Sequence, residues 1–131
     1  MTPDSEHTLK IAQQAFVHFQ HGLATAQWQG FFDMLTEDFT FWFPIGKFQG
    51  WNQGKERAKE FFQYVSAVFT DGIKLTSLDR ITSNQTTVVF EFRDEGLLLG
   101  QPYKNRVAVF FEVRGDKICS HREYFGSDGY S

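Results

Sequence analysis

Apolar side chains recur every three or four residues through the first half of this chain and every second residue through the second half. That change of period restricts the fold to helices laid against a sheet. Leu9, Ala12, Phe16, Phe19 and Leu23 follow one another at intervals of 3, 4, 3 and 4 and define one stripe of a helix over about residues 5–22. Asp4 or Ser5 is the expected cap, and Gly22 is expected to end the helix in the left-handed conformation. A second, shorter helix carries Trp28, Phe31, Phe32 and Leu35. A third starts after Gly54 and turns Ala58, Phe61, Phe62, Val65, Val68 and Phe69 to one side. Between them, residues 38–44 read as a strand with Phe39, Phe41 and Phe43 on one face, ended by Pro44, which cannot donate to a ladder.

From Gly72 onward, strands follow one another. Ile73 and Leu75 share a parity that Leu78 breaks, which predicts a bulge that bends the strand. Val88, Phe90 and Phe92 alternate with Val89, Glu91 and Arg93, so one face of that strand is core. Residues 103–114 form another strand, and Gly115-Asp116 makes a tight hairpin into 117–125. The apolar run Leu97-Leu98-Leu99 falls in a loop, where it either closes a pocket mouth or packs against a second subunit. Ser127 to Tyr130 reads as a mobile tail. The order α-α-β-α-β-β-β-β describes an α+β domain, with three helices packed on one face of a strongly bent, mostly antiparallel sheet.

At 131 residues the chain has room for one domain, 1–131. Its composition, 41% hydrophobic and 22% charged, suits a soluble packed core, and 16 of its 23 aromatic residues are Phe. A net charge of −3 argues against nucleic acid as a partner. No apolar run approaches the roughly 20 residues that span a bilayer, so no membrane partner is expected. Met1 to His7 lacks the basic start and apolar stretch of a signal peptide, and a cytoplasmic protein is expected. The lone Cys119 excludes an intrachain disulfide. Neither a phosphate-binding glycine loop nor a Gly-x-Ser-x-Gly elbow is present.

Two stretches carry a family resemblance. One is Phe43-Pro-Ile-Gly46 followed by Gly54-Lys-Glu-Arg-Ala-Lys-Glu-Phe61. The other is Val89-Phe-Glu-Phe-Arg-Asp-Glu-Gly96, then Gly100-Gln-Pro-Tyr-Lys-Asn-Arg106, then Gly115-Asp-Lys-Ile-Cys-Ser-His-Arg-Glu-Tyr-Phe125. Together and in this order they resemble the nuclear transport factor 2-like superfamily, in its SnoaL-like, ketosteroid-isomerase-related branch. The resemblance implies a cone-shaped, cystatin-like arrangement in which the bent sheet wraps the helices and encloses an apolar pocket. Its wall would include Phe16, Phe43, Phe61, Phe90, Phe92, Val107, Val109 and Phe125. Plain core packing is the competing account of each.

Ketosteroid isomerases place a general-base carboxylate before the proline that ends the first strand, with a Tyr and a protonated acid as an oxyanion hole. The corresponding positions here are Phe43, Ala15 or Phe16, and Val109 or its neighbour. None can move a proton, so that isomerisation is not supported. On the last strand, Cys119, His121, Glu123 and Phe125 share one parity and Ser120, Arg122 and Tyr124 the other. Alternation does not say which set faces inward; the resemblance implies the odd-numbered one. His121 and Glu123 would then form an acid–base pair on a dry wall, with Asn105 or Tyr103 holding a carbonyl oxygen. The alternative is a structural pair that satisfies itself. No third or fourth ligand accompanies it, so neither a metal nor another cofactor is assigned. His7, His18 and His21 read as a polar helix face.

The resemblance also implies a homodimer through the outer sheet face, with Val89, Phe110 and Tyr124 beside Glu91, Arg106, Glu112 and Arg122. Two functions stay open. One is cofactor-free acid–base chemistry, of an isomerase or cyclase kind, on a small apolar carbonyl-bearing molecule. The other is a binding or interaction module that holds an apolar ligand without turnover.

Overall fold

The computed structural model describes residues 5–126. Asp4 and the Ser127 to Tyr130 tail lie outside the described residues. The elements are α1 (Ser5–Thr25), α2 (Gln29–Phe32), β1 (Leu35–Phe43), a short 3-10 turn (Gly46–Phe48), β2 (Gly50–Gln53), α3 (Lys55–Val68), β3 (Phe69–Ser83), β4 (Thr87–Leu98), β5 (Gln101–Arg114) and β6 (Lys117–Gly126). The six strands form one sheet in the order β2-β1-β6-β5-β4-β3. All neighbours are antiparallel except β1 and β6, which run parallel. This is the α+β arrangement expected, with an open sheet. No helix among the described residues is long and apolar enough to cross a membrane.

Bulges bend the sheet. The β3–β4 register shifts between Leu75 and Ser77 and again between Leu78 and Arg80. Each added residue kinks its strand and increases the local twist. The first shift sets Leu78 opposite the inward-facing Phe92, but on this edge strand its side chain is still exposed. The concave face receives α1. Phe16 stacks on Phe90 with centroids 4.2 Å apart, and Phe19 packs edge-on to Phe62, Phe92 and Phe111. Fully burying such a ring contributes roughly 1.5–3 kcal/mol, so the Phe-rich composition supplies the core of a short chain.

Several boundaries differ from the sequence reading. Leu35 begins β1 instead of ending a helix, because α2 is a single turn. The short strand β2 pairs with β1, with Trp51 opposite Trp42. Phe69 opens β3 immediately after α3. Leu97 and Leu98 belong to β4, which leaves only Leu99-Gly100 as the turn. Both turn residues have positive φ.

Gly22 does not end α1, which continues to Thr25 and stops at Ala26, where φ is +67°. Its lack of a side chain has another use. A Cβ there would lie 2.3 Å from Cε3 of Trp28. The indole is buried against the helix and donates from Nε1 to Ser66 Oγ at 2.8 Å, tying α1 to α3. Gly22→Ala would force the indole away. It should lower unfolding stability by about 1–3 kcal/mol in urea denaturation; an unchanged midpoint would show that Trp28 repacks freely.

Candidate functional site

The bend leaves space that α1 does not fill. An apolar cavity of about 230 Å³ lies between α3, the β1–β2 connection and the inner face of β3 to β6. Phe19 and Leu23 come from α1, Phe61, Phe62, Val65 and Val68 from α3, and Phe92, Leu98, Val107 and Phe125 from the sheet. Phe43, Ile45, Lys47, Phe48 and Tyr64 also line it. Of the expected wall, Phe43, Phe61, Phe92, Val107 and Phe125 line this space. Phe16, Phe90 and Val109 are buried in the core and do not line it. The Phe16 ring is occupied by Phe90.

Three titratable side chains reach the cavity from adjacent strands: Asp94 on β4, Tyr103 on β5 and Glu123 on β6. Asp94 was not singled out from the sequence, although the signal was there. Val88, Phe90 and Phe92 face inward, and two residues further the same parity delivers Asp94. Asp94 is 6% exposed, and its Oδ1 is buried without a hydrogen-bond partner. Burial, reinforced by the charge of Glu123, pushes its carboxyl up to about 7. At neutral pH it can therefore stand as an acid, able to donate.

Glu123 faces the cavity while His121 sits behind it. The imidazole is 1% exposed, enclosed by Phe19, Phe62 and Phe111, and its Nε2 lies 3.2 Å from Glu123 Oε1. A carboxylate can only accept, so opposite an ionised Glu123 the imidazole proton belongs on Nε2. Nδ1 is buried without a hydrogen-bond partner. His121 thus holds the Glu123 carboxylate in place and does not line the cavity.

A similar relation links the two candidates on β5. Asn105 Nδ2 donates to Tyr103 Oη at 3.0 Å, while Asn105 Oδ1 accepts from the Arg106 backbone N–H. Asn105 is behind the wall and Tyr103 is on it. Burial, with the charge of Asp94, raises the Tyr103 hydroxyl above its ordinary range, so it stays protonated. With Asn105 filling an acceptor site on the oxygen, the O–H proton can point to a ligand.

Cys119 departs from the odd-numbered set. Ser120 pairs with Glu112 but Ile118 pairs with Val113, so β6 carries one additional residue there. Ile118 faces the core, Cys119 lies beside Glu112, and the inward parity resumes at His121. Burial and the neighbouring Glu112 push the Cys119 thiol up to about 11, which makes it a poor nucleophile at neutral pH. His21 bonds locally to Gln27, while His7 reaches across to Asp116 and the Gly115 carbonyl in the β5–β6 turn. Among the described residues no group of His, Cys, Asp and Glu could hold a metal ion.

The fold is shared with known proteins. Residues 15–121 match the SnoaL-like domain, and the chain belongs to that family. A crystal structure of an NTF2-like protein from Anabaena variabilis ATCC 29413 is 73% identical, covers 98% of this chain and 96% of its own, and superposes with a TM-score of 0.92. Two more distant structures share the fold. A candidate polyketide cyclase from Xanthomonas campestris pv. campestris is 19% identical, with a TM-score of 0.76 over 93% of this chain and 92% of its own. A candidate isomerase from Bacillus subtilis is 20% identical, with a TM-score of 0.73 over 91% and 88%. A comparison with curated proteins gives no match.

The buried carboxyl has a thermodynamic signature. Asp94 holds its proton more tightly folded, at about 7, than at its ordinary value of 3.8. Its contribution to stability is therefore full at low pH and is lost as pH rises through that window. At roughly 1.4 kcal/mol per pKa unit, the loss is a few kcal/mol by pH 8. Asp94→Asn should be more stable than wild type at pH 8 and lose this advantage towards pH 5. Equal pH slopes for the two proteins in urea unfolding would contradict it.

Proposed function

We propose that the cavity binds a small apolar molecule bearing a carbonyl group and moves a proton within it, without a cofactor. The observation that carries this reading is the pairing of unlike acids in one apolar space: a carboxyl poised to donate, Asp94, and a carboxylate backed by a buried imidazole, Glu123. Glu123 takes a proton from the carbon beside the carbonyl. Asp94 gives its proton to the carbonyl oxygen as the C–H bond breaks, so the enol forms without free charge, and Tyr103 donates a hydrogen bond to that oxygen. Protonation of another carbon by Glu123, as the enol O–H proton returns to Asp94, completes an isomerisation. Attack of the enol carbon on a second carbonyl closes a ring when Glu123 protonates the new alkoxide and the enol O–H proton returns to Asp94. The distant structures named for cyclase and isomerase chemistry support this reading through their common fold.

Size narrows the ligand. A dry cavity of about 150 Å³ holds one benzene, so 230 Å³ suits one substituted ring or a compact bicycle and is small for four fused rings. The competing function, binding without turnover, draws on Phe43, which lines the cavity where ketosteroid isomerases carry their base. Exchange of the α-protons of 2-tetralone in deuterated water, followed by NMR, separates the two. Wild type should accelerate exchange, and Glu123→Gln should reduce the acceleration about 10²–10⁴-fold. Saturable binding of 2-tetralone with no accelerated exchange would establish a binding protein instead.

We also propose that the outer sheet face pairs with a second copy of the chain. Supporting this are an exposed Trp51, the stacked Trp42 and Tyr124 at 5.0 Å, and Phe110 under the Arg122 guanidinium at 4.6 Å. Opposite charges from Glu91, Glu112 and Arg122 interleave with Val89 and these rings. Sedimentation should give a dimer at micromolar concentration that Tyr124→Glu dissociates; a wild-type monomer would refute it.

A further inference from the structure

We infer that the ligand is an anionic amphiphile, its carboxylate or similar anion held at the cavity mouth by Lys47 and its carbonyl directed to the acidic end. The inference rests on the reading of the cavity given above and adds the chemistry of the ligand's outer end. Lys47 occupies the 3-10 turn between β1 and β2 and lines the cavity. Its side chain lies over the rim, with Nζ 5.5 Å from the centroid of Tyr64 and 5.7 Å from that of Phe48. Both rings line the same space.

Among the described residues no carboxylate lies within salt-bridge distance of Lys47. Other cations nearby in sequence are already paired. Arg57 stacks on Phe48 at 4.2 Å but its NH1 is held by Glu60 at 3.0 Å, and Lys55 lies 3.8 Å from Glu37. Lys47 is thus a charge on an aromatic rim, beside the exposed Ile45, with no protein anion to meet it.

The two ends of the cavity are opposite in character. Glu123 carries negative charge into the apolar interior, where burying a second anion is costly. A ligand anion is therefore excluded from the deep end and favoured at the mouth, where it stays partly hydrated beside the ammonium. The apolar body between them fills the space lined by Phe61, Phe92 and Phe125. A neutral ligand would be directed by its carbonyl alone. Lys47 is accordingly an orienting residue as well as a binding one.

A matched pair of probes tests this: 3-(4-acetylphenyl)propanoate and its methyl ester, titrated calorimetrically at low ionic strength. Both present an aryl ketone, and only the first carries an anion. Wild type should bind the acid roughly two- to fivefold more tightly than the ester, a gap that narrows with added salt. Lys47→Met should abolish the gap, Lys47→Arg should keep it, and Lys47→Glu should reverse it. The side chain is exposed, so these variants should fold, which circular dichroism checks. If wild type binds both probes equally, or prefers the ester, the anionic ligand is refuted while the carbonyl-binding cavity stands. If neither probe binds, the cavity reading fails and this inference fails with it.

Discussion

The contact of Trp28 with Gly22 sets the geometry on which the site depends. The indole rests on the bare backbone of α1 and reaches Ser66 of α3 with its one polar atom. Its ring also meets Phe62 at 4.7 Å, and Phe62 is part of the cavity wall. The distance between the two helices is therefore fixed by a side chain that belongs to neither. Since α1 contributes Phe19 and Leu23 and α3 contributes Phe61 and Val65, that spacing determines the width of the cavity. Interiors packed at crystal density transmit such constraints instead of absorbing them.

Within that frame, two strongly polar groups survive burial for different reasons. Glu123 has a fixed hydrogen-bond partner in His121, held in turn by three phenyl rings. Asp94 has an oxygen without any partner and answers by holding a proton. Burial acts on the partnerless Asp94 carboxyl, and the difference in partners gives the two groups different roles. Tyr103 and Asn105 repeat the pattern, with the outer residue facing the cavity and the inner one orienting it.

Much of the architecture was legible because hydrophobic periodicity reports burial directly. The change from helical to alternating period located α1, α3 and the late strands, and the broken parity at Leu78 located a bulge. What was illegible depended on contacts distant in sequence. Gly22 looked like a helix end because nothing local announces that Trp28 needs its surface. The strand β2 is short, and its Asn52 and Gln53 carry no apolar alternation, so only pairing with β1 defines it. Parity grouped Glu123 with His121 and Tyr103 with Asn105, but only the family resemblance turned the Glu123 set inward; Asp94 follows from the alternation of β4 extended past its last apolar residue. Lys47 offered no signal, since a lysine in a loop is ordinary until the rings beneath it are seen.

The additional residue in β6 makes that strand change frame partway along. Before it, Ile118 faces inward; after it, His121, Glu123 and Phe125 do, while Arg122 and Tyr124 face outward. A side-chain period of two means that one residue more or less exchanges these sets completely. Loss of Cys119, however, would only close the bulge, because Ile118 and Ser120 pair with the consecutive residues Val113 and Glu112; Glu123 would stay in the hollow and Arg122 and Tyr124 outside. In a sheet of this kind a bulge is thus a spare residue, by which one strand can lose a codon while both its faces and its hydrogen-bond ladder survive.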